Sequence, residues 1–103
     1  MVITEYKQRQ YNLMLDLIGS YRQEEIELGD LINQLDALNS VLEAPTQPWL
    51  DSFSSAWGRL EDIYAVMLAE QRRELDSTDI KIIDQALDEL DLLVNMEITE
   101  LKN

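Results

Sequence analysis

The sequence predicts an all-α fold, a compact bundle of about four helices. Apolar residues recur at helical spacing along almost the whole chain, and the alternation of β-branched residues that is typical of strands is missing. A chain of 103 residues is the size of one domain. Its 46% apolar content, with only three glycines and two prolines, indicates that it buries enough to fold despite its acidity. We therefore expect a single helical domain over residues 1–103.

The first two predicted helices each have one apolar face. The first covers residues 4–21, and Gly19 and Ser20 are positioned to end or bend it. Its apolar face consists of Tyr11, Met14, Leu15, Leu17, Ile18 and Tyr21. The second covers residues 28–43 and has the narrowest stripe, formed by Leu28, Leu31, Ile32, Leu35, Leu38 and Leu42. Asp30, Asn33 and Ala37 face away from that stripe.

The third predicted helix follows a break at residues 44–48, where two prolines interrupt helical geometry and Pro48 suits a first turn. It covers residues 49–73, and one stripe contains Phe53, Trp57, Leu60, Ile63, Tyr64 and Met67. Small residues at Gly58, Ala65 and Ala69 occupy nearly the opposite side, which predicts a second close neighbour there. Asp62 shares that side, so we expect it to be desolvated and hydrogen-bonded, with recognition of a partner as the alternative.

The fourth predicted helix covers residues 79–101. Residues 76–79 supply side-chain acceptors suited to capping its first turn. Its seam contains Ile80, Ile83, Leu87, Leu90, Val94 and Leu101. Just before it, Arg72 and Arg73 form the chain's basic pair, for which we expect a structural role at a helix carboxyl end.

The balance of charge restricts the classes of function. The chain has 21 acids, 8 lysines and arginines, and neither histidine nor cysteine, for a net charge of −13. Such a chain is repelled by nucleic acid and by anionic membranes and attracted to basic proteins. Without histidine or cysteine, and with neighbouring acids that point about 100° apart on a helix, we expect no enzyme activity, no cofactor and no metal. The absence of a secretion signal or a long apolar run predicts a cytoplasmic protein.

The last helix carries the candidate binding surface. Residues 74–103 contain nine acids and two lysines, so they account for −7 of the net −13. Asp84, Asp88 and Asp91 fall on one line beside the predicted seam, and Leu92 and Met96 project beyond them. The predicted partner-binding set also includes Glu89, Glu61 and Asp62. A solvated helix face and a homodimer seam are the two simpler interpretations of this surface.

The sequence also resembles a known family over about residues 24–95. The resemblance depends on Ile26 to Leu31 (IELGDL), Leu35, Leu38, Trp49, Phe53, Trp57, Leu60, Glu61, Tyr64, Ala65 and Leu68, followed by one long helix. These features resemble small acidic helical immunity proteins that are encoded beside secreted polymorphic toxins of the contact-dependent inhibition and Rhs types in bacteria. The resemblance implies a tight-binding inhibitor of one cognate toxin, often a nuclease, and carries over no catalytic residue. The first 23 residues lie outside it.

The charge pattern and the resemblance agree on the kind of partner. A toxin that cuts nucleic acid has a basic substrate groove, which an acidic inhibitor complements. We therefore expect noncatalytic occlusion of a basic cognate toxin by Asp84, Asp88 and Asp91, helped by Glu89, Glu61 and Asp62. The alternatives are a homodimeric helical adaptor with a structural or regulatory role, and a nucleic-acid mimic that binds a DNA-binding protein.

Overall fold

The computed structural model of the protein describes residues 2–42 and 44–102. Four helices make up most of it: α1 (Val2–Arg22), α2 (Leu28–Ser40), α3 (Gln47–Ala69) and α4 (Ser77–Lys102). The described residues contain no strand, so the prediction of an all-α bundle of about four helices is confirmed. None of these helices, over the described part of the chain, is both long and apolar enough to cross a bilayer.

The helices form an antiparallel bundle with the connectivity up, down, up, down. α4 packs against α1 and α3, and α2 packs against the same two helices from the other side. The bundle measures 47 × 26 × 20 Å. The α1–α2 and α3–α4 connections share one end, and the α2–α3 connection lies at the other, where the Tyr6 hydroxyl donates to the Val41 carbonyl at 3.1 Å.

The core contains the apolar stripes of all four helices. Its fully buried side chains include Met14, Leu31, Leu35, Leu60, Ile83, Leu87, Leu90 and Val94. At the α2–α3 end, Trp49 contacts the rings of Tyr11 and Phe53 with centroid separations of 5.2 and 5.8 Å. Its indole N–H donates to Asn39 Oδ1 at 2.8 Å, which satisfies the polar edge of an otherwise buried side chain.

Two helices end at left-handed residues that are not glycine. α3 stops at Ala69, four residues before the predicted end, because Gln71 has φ 57°. The Gln71 N–H donates to the Leu68 carbonyl at 3.0 Å, and the Arg72 N–H donates to the Met67 carbonyl at 2.9 Å. This is a Schellman motif, which normally places glycine at the left-handed position.

The end of α1 has the same construction. Glu24 has φ 63°, its N–H donates to Tyr21 at 3.0 Å, and the Glu25 N–H donates to Ser20 at 2.8 Å. α1 therefore continues through Gly19 and Ser20 and ends at Arg22, one residue beyond the predicted end.

The starts of α3 and α4 are set by side-chain caps. The Thr46 hydroxyl accepts from the Trp49 N–H at 3.3 Å, and Pro48 lies in the first turn of α3 as expected. The Asp76 carboxylate accepts from the Asp79 N–H at 2.8 Å, and Asp79 accepts from the Asp76 N–H at 3.3 Å. This reciprocal pair is a capping box and confirms the predicted capping segment. The predicted end of the second helix, Glu43, lies outside the described residues; α2 ends at Ser40.

Two packing predictions for α3 are wrong. The small residues Ala65 and Ala69 are exposed, and a Cβ placed on Gly58 would have open space around it. Asp62 is likewise exposed and is not desolvated. The reason is that α2 and α4 contact α3 on either side of its apolar stripe, through Trp57 and Arg59 respectively, so the opposite side faces solvent.

The predicted core seam of α4 is buried except at its beginning. Ile83, Leu87, Leu90 and Val94 are buried, whereas Ile80 is 49% exposed. The side chain of Leu101 lies outside the described residues.

Candidate functional site

The predicted acidic line on α4 lies along the edge that faces α1. We call Asp84, Asp88 and Asp91 the acidic ridge. Asp84 and Asp88 are exposed and Asp91 is half-buried. Arg22 at the end of α1 donates to Asp88 at 2.6 Å, which fixes the ridge beside that helix. Burial raises the pKa of the nearby Tyr21 hydroxyl, and the charge of Asp84 raises it further.

Glu89 lies on the opposite edge of α4, where the Arg59 guanidinium of α3 binds its carboxylate. Asp62 follows Arg59 by three positions, so it lies on the same side of α3, farther from the core. The α3 edge of α4 therefore carries a second, smaller group of acids.

Leu92 and Met96 occupy the outward face of α4 between these two edges. They are 63% and 55% exposed, which confirms that the bundle leaves them outside its core. Two large apolar side chains are thus flanked by carboxylates on both sides. A basic surface with an apolar centre complements this arrangement.

Glu61 does not belong to this surface. Trp57 donates its indole N–H to the Ile32 carbonyl of α2 at 2.9 Å, and Tyr64 lies against Gly29 of α2. Glu61 falls between these two residues at helical spacing, so it lies on the α2 side of α3, away from α4. The structure therefore brings seven of the eight predicted residues onto or beside α4 and separates Glu61 from them.

The ion pairs divide the acids into two kinds. Asp88 and Glu89 already have arginine partners, and their side chains remain 75% and 59% exposed. Asp84 and Asp91 form no ion pair within residues 2–42 and 44–102. In the same ranges, no three acidic side chains converge closely enough to hold a metal ion. The chemistry that this surface offers is the attraction of cations.

Arg72 has the structural role expected for the basic pair. Its guanidinium donates to Glu70 at 2.7 Å and to Asp79 at 3.0 Å, and it lies 3.6 Å from Asp76. The hydrogen bond from Arg72 holds the pKa of the Asp79 carboxyl below its usual value. Arg72 therefore joins the end of α3 to the capping box of α4.

The same end of the bundle contains a cleft that the sequence did not reveal. It has a volume of about 650 Å³, and we call it the end cleft. Its lining comes from both connections and the adjoining helix ends: Tyr21, Arg22, Glu24, Ile26, Glu27, Leu28, Gly29, Tyr64, Met67, Arg73, Glu74, Leu75, Ile80, Ile83 and Asp84. The only sequence signal for it is the presence of Ile26 and Leu75 in segments that connect helices.

Gly29 brings Tyr64 close to the backbone in the wall of the end cleft. A Cβ on Gly29 would lie 2.8 Å from the Tyr64 hydroxyl oxygen. Both residues belong to the segments that carry the resemblance to immunity proteins, and their contact joins α2 to α3.

Comparison of the chain with protein-family models, with curated proteins and with solved structures finds no match. The resemblance to immunity proteins therefore stays a prediction. The surfaces described above are the basis for interpreting the chain's function.

Proposed function

We propose that this chain is an immunity protein, which binds a basic cognate toxin of the producing bacterium and neutralises it without catalysis. The toxin class we favour is a nuclease, whose substrate groove is basic because it binds phosphates. The single observation that carries the proposal is the placement of exposed Leu92 and Met96 between two edges of α4 that both carry carboxylates.

The net charge of −13 supports fast capture of such a partner. Long-range attraction between opposite charges raises association rates and weakens as salt screens it. Within the described residues, Asp84 and Asp91 are the ridge residues that form no ion pair, so a partner's cation would not have to replace an arginine there. They are therefore the residues of the ridge that we expect to contribute most to association.

The apolar pair supplies the other half of the proposed interface. Apolar side chains at the centre of an interface lower the dissociation rate, whereas rim charges act chiefly on association. In this scheme the acids of α4 meet the toxin's cationic groove, and Leu92 and Met96 pack against its apolar part. The toxin's active site is covered, and no bond is made or broken.

Co-purification with the product of the adjoining gene identifies the partner, and charge reversal then tests the surface. The double variant Asp84→Lys, Asp91→Lys is compared with Asp16→Lys, Asp36→Lys, which makes the same change of net charge at exposed positions of α1 and α2. Both variants lose the same long-range attraction. We expect the α4 variant to bind at least about tenfold more weakly than the control, as like charges replace contacts in the interface. Equal affinities of the two variants would contradict the assignment of the surface.

The exposed Leu92 and Met96 also support a second candidate, a homodimer in which α4 packs against its copy. Light scattering over a dilution series separates the two. A dimer that persists without any partner, and that Leu92→Lys dissociates, favours the adaptor function. A nucleic-acid mimic would differ from an immunity protein in two ways. Excess duplex DNA would displace it from the co-purified partner, and that partner would be a DNA-binding protein without toxicity.

A further inference from the structure

The end cleft combines half-buried apolar side chains with exposed carboxylates. Tyr21, Ile26, Tyr64 and Met67 are half-buried in its wall, so each still presents apolar surface to it. Ile80 is 49% exposed although it lies on the core side of α4, because the cleft leaves the first turn of this helix uncovered. A recess of several hundred Å³ that combines apolar side chains with a few polar groups is typical of a binding site.

The charges around the cleft favour a cation. Four carboxylates line it, from Glu24, Glu27, Glu74 and Asp84, against two arginines, Arg22 and Arg73. Arg22 is already paired with Asp88 at 2.6 Å. The mouth is therefore anionic on balance, and an anionic or neutral apolar ligand would not use these carboxylates.

The cleft is also continuous with the surface proposed above. Asp84 belongs both to the acidic ridge and to the lining of the cleft, and Arg22 connects the cleft to Asp88 through its ion pair. A polypeptide lying along the α1 edge of α4 would therefore meet the mouth of the cleft at Asp84. Interfaces obtain much of their affinity from a bulky side chain inserted into such a recess.

We propose that the end cleft receives a bulky apolar side chain of the basic partner, from a segment in which lysines or arginines flank that side chain. This inference rests on the proposed function for the identity of the partner, but its chemistry can be tested without the toxin. The apolar group occupies the space between Tyr21, Tyr64 and Ile80, and the flanking cations meet Asp84 and the glutamates at the mouth.

The test is an amide NMR titration of the whole chain with a blocked pentapeptide that has phenylalanine between two pairs of lysines. The control peptide has serine in place of phenylalanine and so has the same charge. At about 5 mM peptide, which reveals affinities in the millimolar range, we expect the largest shifts at the amides of Tyr21, Ile26, Gly29 and Ile80. The serine peptide should bind at least about fivefold more weakly, which corresponds to the loss of part of an apolar side chain's burial.

A matched pair of variants locates the site. Ile80→Lys places a cation in the cleft, and Val66→Lys makes the same change at an apolar residue of equal exposure, 50%, outside it. Circular dichroism first confirms that both variants are folded. We expect Ile80→Lys to weaken binding of the phenylalanine peptide at least about tenfold and Val66→Lys to change it less than about threefold. The reason is that a lysine inside the cleft lies close to the peptide's lysines, and repulsion between like charges weakens with distance and with screening by salt.

Shifts spread over the acidic surface, equal binding of the two peptides, or equal losses in the two variants would overturn the assignment of the cleft. If Ile80→Lys unfolds, Met67→Lys replaces it in the same comparison. Failure here would leave the α4 surface untouched, because the Asp84→Lys, Asp91→Lys comparison is made with the toxin. Conversely, if the peptide binds in the cleft but co-purification finds no toxin as partner, the proposed function is removed and a site for apolar cations remains.

Discussion

Replacing Gln71 with glycine should stabilise the protein. Gln71 has φ 57° at the end of α3, a conformation that costs a residue with a Cβ about 1–2 kcal/mol. Glycine removes this cost but loses about 0.5–1 kcal/mol through its greater freedom in the unfolded chain. Both Schellman hydrogen bonds use backbone atoms, so the substitution keeps them. The net expectation is a gain of about 1 kcal/mol in the free energy of unfolding, or about 4–8 °C in Tm for a domain of this size.

Urea unfolding followed by far-ultraviolet circular dichroism measures this gain. Gln71→Ala is the matched control, because it removes the same polar side chain and keeps the strained backbone. We expect Gln71→Ala to lie within about 0.5 kcal/mol of the parent chain. The substitution is neutral in charge, so electrostatic effects do not enter. A glycine variant no more stable than the alanine variant would refute the assignment of strain to Gln71.

Two further predictions concern charges. Because Arg72 lowers the pKa of Asp79, the folded state favours the carboxylate form of Asp79. This stabilisation is complete above the ordinary pKa of about 3.9, and it is lost as the pH falls through the lower pKa of the folded state. The difference in unfolding free energy between the parent chain and Asp79→Asn should therefore be constant from pH 7 to about pH 5 and shrink below about pH 4 in urea titrations; a difference that does not vary with pH would contradict it. Second, the double variant Arg22→Met, Arg59→Met frees Asp88 and Glu89 from their ion pairs. The loss in unfolding free energy should be at most about 1 kcal/mol per exposed pair. Association with a basic partner should become faster in stopped-flow measurements at low salt. An unchanged or slower association would indicate that these two acids do not face the partner.

Helical periodicity was sufficient to predict the number of helices and most of the core. Most residues of the α2 and α4 stripes, such as Leu31 in α2 and Val94 in α4, are buried as expected. A bundle has few other ways to cover four apolar faces. The start of α3 was also predictable from the sequence, because Thr46 and Pro48 are local signals whose effect does not depend on tertiary contacts.

The end of α3 was not predictable in the same way. The usual signal for a Schellman motif is glycine, and this chain places Glu24 and Gln71 at the left-handed positions. Its glycines instead lie inside helices, at Gly19, Gly29 and Gly58. The end of α3 was therefore predicted four residues too late, whereas the end of α1 was predicted to within one residue.

The candidate surface was predictable only within one helix. The alignment of Asp84, Asp88 and Asp91 follows from periodicity, as does the outward direction of Leu92. Their arginine partners do not, because Arg22 and Arg59 reach α4 from helices whose relative register is set by the packed bundle. The grouping of Glu61 with the acids of α4 failed for the same reason, and so did the expectation that Ile80 is buried.

The arrangement of the connections has a practical consequence for handling the protein. The beginning of α1 and the last turns of α4 lie at the end of the bundle that also holds the α2–α3 connection, whereas the end cleft is formed by the other two connections. A fluorescent label, affinity tag or surface tether attached at the first turn of α1 or the last turn of α4 would therefore sit some 30 Å from the cleft, the span of about 20 helical residues. Sensors and immobilised binding assays can be assembled through either attachment point while the opposite pole stays open to whatever it recognises.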